Sequence, residues 1–411
     1  MKKKQVPKLR FPEFTQNWKE ITLGKKTSKV GSGITPKGGS QVYTDNGVLF
    51  IRSQNVDNNT LLLDDITFIP EEIHQKMDGS KVQPFDILLN ITGASIGRSC
   101  VVPEKIEEAN VNQHVCIIRL KENNEPRFFQ SVLASEKGEK LIYEYQAGGG
   151  REGLNFANIR SFRFCVPDFE EQQKIADFLS SVDQKIQQLR RKKELLEEYK
   201  KGVMQKLFSQ EVRFKDENGE DYPDWEYKEL GDISDRITDK NEDEEYDFVL
   251  TNSAVQGVVS QTEYFDKSIA NKSNLGGYYI VKMNDFVYNP RISSEAPVGP
   301  IKRNKLKTGV MSPLYSVFRI NEKNLDFFEY FFETTLWHRY MHSVANFGAR
   351  HDRMNITVGD FQKLPIPVPS EEEREKITDF INSVSEKLKT VNRKLDVAEN
   401  FKKGLLQQMF V

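Results

Sequence analysis

The sequence predicts an α+β protein written twice: two mixed α/β units, each followed by a long helix of coiled-coil type. Three observations predict it. First, the two halves end alike, Lys200-Lys201-Gly202-Val203-Met204-Gln205-Lys206-Leu207-Phe208 and Lys402-Lys403-Gly404-Leu405-Leu406-Gln407-Gln408-Met409-Phe410, at an offset of 202 residues. Second, the same offset carries Val166-Pro167 onto Val368-Pro369, Ile175 onto Ile377, Phe178 onto Phe380 and Val182 onto Val384. Third, Trp18 and Gly24 are spaced as Trp225 and Gly231 are. Self-similarity at one long period ranks above any short motif, because a repeated unit can present two similar surfaces to one elongated ligand.

Each unit opens with short strand signals. Val48-Leu49-Phe50-Ile51, Ile87-Leu88-Leu89 and Val115-Cys116-Ile117-Ile118 read as strands in the first, Phe286-Val287-Tyr288 and Tyr315-Ser316-Val317-Phe318 in the second. Phe128 to Leu141 and Phe327 to Met341 read as helices, with glycine and proline punctuating the rest. The long helices follow. Ile175, Val182, Leu189, Leu196 and Val203 recur every seven residues, with Leu179, Ile186, Lys193, Lys200 and Leu207 four residues on. The second helix repeats the pattern with Ile377, Val384, Val391, Ala398, Leu405 and Ile381, Leu388, Leu395, Lys402, Met409. Alternating steps of four and three make a coiled-coil seam, in which the lysines either fix register or mark a splay. Asp168 with Glu171 and Ser370 with Glu373 have the spacing of capping boxes, each after a proline that stops any earlier helix. Ile175 to Leu207 is 33 residues, about 50 Å of helix.

The bulk composition narrows the function classes. The chain has 411 residues, 37% hydrophobic and 29% charged, with a net charge of −2. That length exceeds one ordinary core. A near-neutral balance argues against gripping nucleic acid by bulk charge alone and leaves room for local basic patches or a cationic partner. No apolar run near the N-terminus suggests a signal peptide, and no stretch has the length of a membrane span. Cys100, Cys116 and Cys165 have no metal-type spacing and read as reduced structural cysteines of a cytoplasmic protein.

Enzyme signatures are sparse. The sequence has no Gly-x-x-x-x-Gly-Lys-[Ser/Thr] phosphate loop. Gly31-Ser32-Gly33 reads as a turn, and Asn289-Pro290-Arg291 lacks the second proline and aromatic of an amino-methyltransferase motif. Glu226-Tyr227-Lys228 has a nuclease-like Glu-x-Lys shape, but Asp224 is too close for a usual metal pocket. His338 and His342 lie one helical turn apart with no third ligand evident. Arg190-Arg191-Lys192-Lys193 reads as a solvated helix face. More telling are polar and basic residues in glycine-bearing loops at matched places: Thr92-Gly93-Ala94-Ser95-Ile96-Gly97-Arg98 and Gly148-Gly149-Gly150-Arg151 in the first unit, Asn289-Pro290-Arg291-Ile292-Ser293-Ser294 and Gly348-Ala349-Arg350-His351-Asp352-Arg353 in the second. Glycine permits close backbone approach, and Arg and Asn can bond base edges bidentately.

These runs resemble the specificity subunit of type I restriction-modification systems. The resemblance rests on Gly33-Ile34-Thr35-Pro36, Tyr43, Gly47 to Arg52, Phe85-Asp86-Ile87-Leu88, Gly93 to Arg98 and Glu170 to Ile175. In the second half it rests on Gly257-Val258-Val259, Asp285 to Pro290 and Ser312-Pro313-Leu314-Tyr315. Thr35-Pro36 has no counterpart there, so loop roles do not transfer between halves. The resemblance implies two target-recognition domains, 1–167 and 210–369, separated by two long antiparallel spacer helices, 168–209 and 370–411, with a pseudo-twofold repeat. It implies a non-catalytic subunit reading a bipartite target in double-stranded DNA. The helices would set the spacing and dock methyltransferase subunits, two of them. Those partners would bind S-adenosylmethionine and methylate adenine. Restriction subunits would use ATP and magnesium, and this chain would bind no cofactor itself. The DNA-binding candidates are Thr35, Lys37, Asn90, Thr92, Ser95, Arg98 and Arg151 in the first unit. In the second they are Asn289, Arg291, Ser293, Ser294, Arg350, His351 and Arg353. The alternatives are a DNA-modifying or nicking enzyme with a divergent site, and a protein-binding scaffold that never touches DNA.

Overall fold

A computed structural model describes residues 6–106, 108–146, 153–264, 272–346 and 352–411. The chain divides into two compact units, one of Met1–Arg191 with Asn392–Val411 and one of Lys192–Val391. Each long helix therefore contributes to both. The first helix is continuous over Phe169–Phe208 and the second over Glu371–Gln408.

In the first unit, the central sheet orders its strands Thr27–Ser32, Val115–Leu120, Ile87–Asn90, Ser99–Val101, all antiparallel. A second sheet orders Thr67–Ile69, Val48–Ile51, Ala109–Val111, Lys81–Val82, with Val48–Ile51 parallel to Ala109–Val111. Lys19–Thr22 pairs with Arg163–Val166 just before the long helix. The second unit repeats the central sheet as Ser234–Ile237, Ser316–Ile320, Phe286–Tyr288, Ile301–Arg303. It repeats the entry ribbon as Glu226–Glu229 with Pro365–Val368. Among the described residues the parallel pairing shrinks to a single bridge, Val249 to Val310.

Both predicted globular helices are broken, at the same place. Phe128 to Leu141 is two helices, Pro126–Leu133 and Glu136–Gln146; Phe327 to Met341 is Leu325–Glu333 and His338–Val344. A hydroxyl competes with the backbone at each break. Ser135 Oγ donates to the Val132 carbonyl at 2.7 Å, and Thr334 Oγ1 donates to the Phe331 carbonyl at 2.7 Å. The apolar periodicity runs through the break, which is why the sequence read as one helix.

The capping-box reading also needs correction. Glu373 N does donate to Ser370 Oγ at 3.3 Å. The carboxylates, however, turn inward. Glu171 accepts from Arg10 Nε and Nη2, both at 2.7 Å, and from Trp18 Nε1 at 3.3 Å. Glu373 accepts from Arg213 Nε at 3.1 Å, Arg213 Nη2 at 2.8 Å and Trp225 Nε1 at 2.8 Å. Both glutamates are buried in the first helical turn, where the dipole favours an anion. A buried carboxylate needs a charged, hydrogen-bonded partner more than a fraying helix end needs a cap.

Within the first unit the two helical segments run antiparallel. Arg190 Nη2 meets Glu399 at 2.6 Å, and Lys402 meets Asp183 seven residues earlier on the first helix. In the second unit Met204, Leu207, Ile377 and Ile381 share one core with Trp225, Phe286, Phe327 and Phe328. In the first, Ile175, Leu179, Leu405 and Met409 join Trp18, Phe128, Phe129 and Phe162. Two of the seam lysines are paired: Lys402 crosses to Asp183 on the facing helix, and Lys200 reaches Glu333 at 3.4 Å while lying over the Tyr330 ring. The repeat extends to the entry of each unit. Leu9 N donates to the Gln408 carbonyl at 3.0 Å, as Val212 N donates to the Lys206 carbonyl at 3.3 Å.

Candidate nucleic-acid interface

In the first unit four segments meet at one edge of the central sheet. The strand Ile87–Asn90 ends on Asn90, whose buried Nδ2 donates to the Ser53 carbonyl at 2.9 Å and to Ser95 Oγ at 3.1 Å. Asn90 and Ser95 thus hold the loop together from inside. The loop turns through Gly93 and Gly97, both at positive φ, and brings Arg98 to the surface with its Nη1 3.6 Å from Asp57 Oδ1. Thr92 forms a β-bridge with Gly153, and Leu154 N donates to the Ile91 carbonyl at 2.9 Å. The Gly33-Ile34-Thr35-Pro36 loop is pressed onto the 111–114 turn. Gly33 N donates to the Asn112 carbonyl at 3.2 Å, and a Cβ on Gly33 would sit 1.5 Å from the Val111 oxygen. Thr35 and Lys37 are exposed just beyond.

Side chains then link the segments in a row. Thr35 Oγ1 donates to Gln113 Oε1, Gln113 Nε2 lies 3.0 Å from His114 Nε2, and His114 Nδ1 bonds Thr92 Oγ1. Neither Gln113 nor His114 was among the residues expected from sequence. The available signal was the polar run Asn110-Val111-Asn112-Gln113-His114 between two apolar strands.

The second unit builds the same edge from different side chains. Asn289 matches Asn90: its Nδ2 donates to the Asn252 carbonyl at 2.9 Å, and its Oδ1 accepts from Arg291 N at 3.0 Å. Arg291 bridges Arg353 as Thr92 bridges Gly153, and Met354 N donates to the Pro290 carbonyl at 2.8 Å. The two arginines flank one carboxylate, Asp352 Oδ2 lying 3.9 Å from Arg291 Nε and 4.0 Å from Arg353 Nε. Ser293 Oγ accepts from Ala296 N at 3.2 Å, and Ser294 is exposed. The 312–314 turn copies the 112–114 turn: Leu314 N donates to Ser312 Oγ as His114 N donates to Asn112 Oδ1. Leu314 stands 61% exposed where the first unit has its histidine. Arg151, Arg350 and His351 lie outside the described residues.

The remaining motifs are placed elsewhere. Glu226-Tyr227-Lys228 lies in the entry ribbon, with Lys228 Nζ 3.7 Å from Glu322. His338 packs edge-on against Trp337, and burial, then the neighbouring His342, lowers its pKa. Among the described residues no group of three or more His, Cys, Asp or Glu is arranged to hold a metal ion. The three cysteines are unbridged and buried; burial pushes the thiols of Cys100 and Cys116 up to about 12 and raises that of Cys165. Among the described residues no helix is long and apolar enough to cross a membrane.

Known proteins share both the sequence pattern and the fold. The pattern of the type I restriction modification DNA specificity domain matches twice, over residues 16–198 and 222–400. The MjaX type I restriction enzyme specificity subunit of Methanocaldococcus jannaschii is 21% identical, across 98% of this chain and 95% of its own length. The MjaVIII specificity subunit of the same organism is 25% identical over 52% of this chain and 51% of its own. The solved S subunit of the M. genitalium type I restriction-modification system superposes with a TM-score of 0.56, covering 99% of both chains at 14% identity, a likeness of fold. With two matches that together span most of its length, the chain belongs to the type I restriction-modification DNA specificity family.

Proposed function

We propose that this chain is the non-catalytic subunit that reads a bipartite DNA target, each unit contacting one half, and directs adenine methylation and restriction by partner subunits. The carrying observation is the edge just described, one frame built twice with unlike side chains at its rim. Like frames suit a common ligand backbone, and unlike rims suit different bases. The rim candidates are Thr35, Lys37, Thr92 and Arg98 in the first unit and Arg291, Ser294 and Arg353 in the second. Asn90, Ser95, Asn289 and Ser293 act by shaping the loops they bond.

Methyltransferase subunits would supply S-adenosylmethionine chemistry, and restriction subunits would supply ATP- and magnesium-dependent cleavage. For docking, the long helices offer exposed apolar pairs at equivalent positions. Leu195 and Tyr199 on the first helix correspond, at the 202-residue offset, to Val397 and Phe401 on the second. Residues i and i+4 share a helix face, and duplicated apolar pairs fit two copies of one partner. The complex would act in the cytoplasm, where its DNA is.

Exchanging residues 211–369 for the equivalent region of a relative tests the reading. Methylome sequencing of cells carrying the chain with its methyltransferase subunits should show one half-site changed and the other intact. Change in both halves refutes the modular reading, and robust methylation by the chain alone refutes the non-catalytic one.

A further inference from the structure

We propose that the Thr35–Gln113–His114–Thr92 chain fixes the hydrogen-bonding polarity of the first unit's rim, so that Thr92 reads an acceptor on a base edge and Thr35 reads a donor. The inference rests on the DNA-reading function above and assigns Gln113 and His114 a part in it.

The argument follows the hydrogens. Gln113 turns its amide oxygen to Thr35 and its nitrogen to His114. An amide nitrogen can only donate, so His114 Nε2 is the acceptor in that contact. The neutral ring then carries its hydrogen on Nδ1, which donates to Thr92 Oγ1. Thr92 keeps its own hydroxyl hydrogen for an acceptor outside the chain. At the other end, the Gln113 oxygen can only accept, so Thr35 spends its hydrogen there and offers lone pairs alone. Of two hydroxyls that would each rotate freely in water, Thr35 becomes an acceptor alone, and Thr92 keeps its hydrogen outward with one of its two lone pairs already taken. In the major groove a donor suits purine N7, guanine O6 or thymine O4, and an acceptor suits adenine N6 or cytosine N4.

The second unit shows that the chain is a choice rather than a requirement of the fold. Its matching turn keeps the Ser312 bonds to Leu314 N and Tyr315 N, at 3.4 and 3.0 Å. Pro313 and Leu314 nevertheless replace Gln113 and His114, and Arg291 takes the place of Thr92. Guanidinium donates only, so its polarity needs no relay. His114 and Gln113 are therefore positioning residues, and Thr35 and Thr92 are the readers.

The test uses the full chain with its methyltransferase subunits and reads the methylated motif. Thr92→Val and Thr35→Val remove one hydroxyl each at constant shape; His114→Leu copies the second unit; Thr92→Ser restores a hydroxyl. Each valine variant should lose discrimination at one position of the first half-site by about tenfold or more. His114→Leu should relax both positions, Thr92→Ser should restore its own, and the second half-site should not move. A purely structural role would lower methylation of the wild-type motif without changing its bases. If Thr92→Val, Thr35→Val and His114→Leu all methylate the wild-type first half base for base, the polarity inference falls alone. If the wild-type complex methylates no bipartite motif, the DNA-reading function falls and the inference with it.

Discussion

Glu171 and Glu373 do the same job in the two units, while His114 and Leu314, on equally matched turns, do not. The glutamates each collect an arginine and an indole where a long helix begins. Asp86 with Arg119 and Asp285 with Arg319 repeat a second charged latch at the far end of the central sheet. In each latch the guanidinium Nε lies 2.7 Å from the carboxylate. Interior charge allows little drift, because changing one partner strands the other without water. A rim residue answers to whatever it touches. The difference teaches where identity between the units is physically enforced and where it is free to lapse.

The triads give the largest expected effects and the sharpest test of their equivalence. Glu171→Ala strands Arg10, which is nearly buried and whose guanidinium makes both its hydrogen bonds to Glu171. Glu373→Ala leaves Arg213 its bonds to the Tyr222 and Pro223 carbonyls, at 3.1 and 2.7 Å. Breaking a buried pair costs about 3–5 kcal/mol, so Glu171→Ala belongs near the top of that range and Glu373→Ala near the bottom. Denaturant unfolding followed by tryptophan fluorescence measures both. The reverse order would mean that the two triads are alike only in outline.

The aspartate latches should cost less and nearly the same in both units. Arg119 and Arg319 are each partly exposed, so water screens the arginine that Asp86→Asn or Asp285→Asn leaves behind. Each change should destabilise its unit by about 2 kcal/mol. A difference between them much above 0.5 kcal/mol, about the scatter of independent sites, would show that the central sheets are not energetically equivalent.

Much of this frame was legible in sequence because it is periodic or local. The seven-residue rows of Ile175 to Leu207 and Ile377 to Met409 survive as buried or half-buried seams. The strands at Val48, Ile87 and Phe286 begin where their apolar runs begin. What escaped was competition. The breaks at Ser135 and Thr334 pit a hydroxyl against an unbroken apolar stripe. Glu171 and Glu373 stand at a capping position, yet their partners Arg10 and Arg213 lie 161 and 160 residues away. The row through Gln113 and His114 escaped for the same reason: Thr35 and Gln113 are 78 residues apart, a separation no local pattern encodes. Asn90 and Asn289 are base-contact candidates in sequence because amides suit base edges, and in the fold both amide nitrogens donate to backbone carbonyls.

Arg291 offers a smaller effect that sharpens the contrast between rims. If its guanidinium reads a base bidentately, Arg291→Lys keeps the charge and loses the fork. Discrimination at one position of the second half-site should weaken by about 1–2 kcal/mol, with the first half-site untouched. Competition binding of the methyltransferase complex to single-base variants of the target measures this. Equal weakening against every sequence would make Arg291 a backbone contact instead.

The smallest effect concerns a turn that the units share in shape but not in residue. Phe85 and Asn284 both sit at left-handed φ, 68° and 74°, just before the latch aspartates. Their amides make matching bonds, Phe85 N to the Val102 carbonyl at 3.0 Å and Asn284 N to the Asn304 carbonyl at 2.8 Å. Left-handed backbone costs an ordinary L-residue about 1–2 kcal/mol, and asparagine tolerates it better than phenylalanine does. Phe85 is 51% exposed, so the burial of the rest offsets only part of that strain. Phe85→Asn should therefore stabilise the first unit by about 0.5–1 kcal/mol, and Asn284→Phe should destabilise the second by a similar amount. Thermal unfolding of the paired variants measures both signs at once. Loss of stability in Phe85→Asn would mean that the half-buried ring outweighs its backbone strain, and that this turn belongs with the rims rather than with the frame.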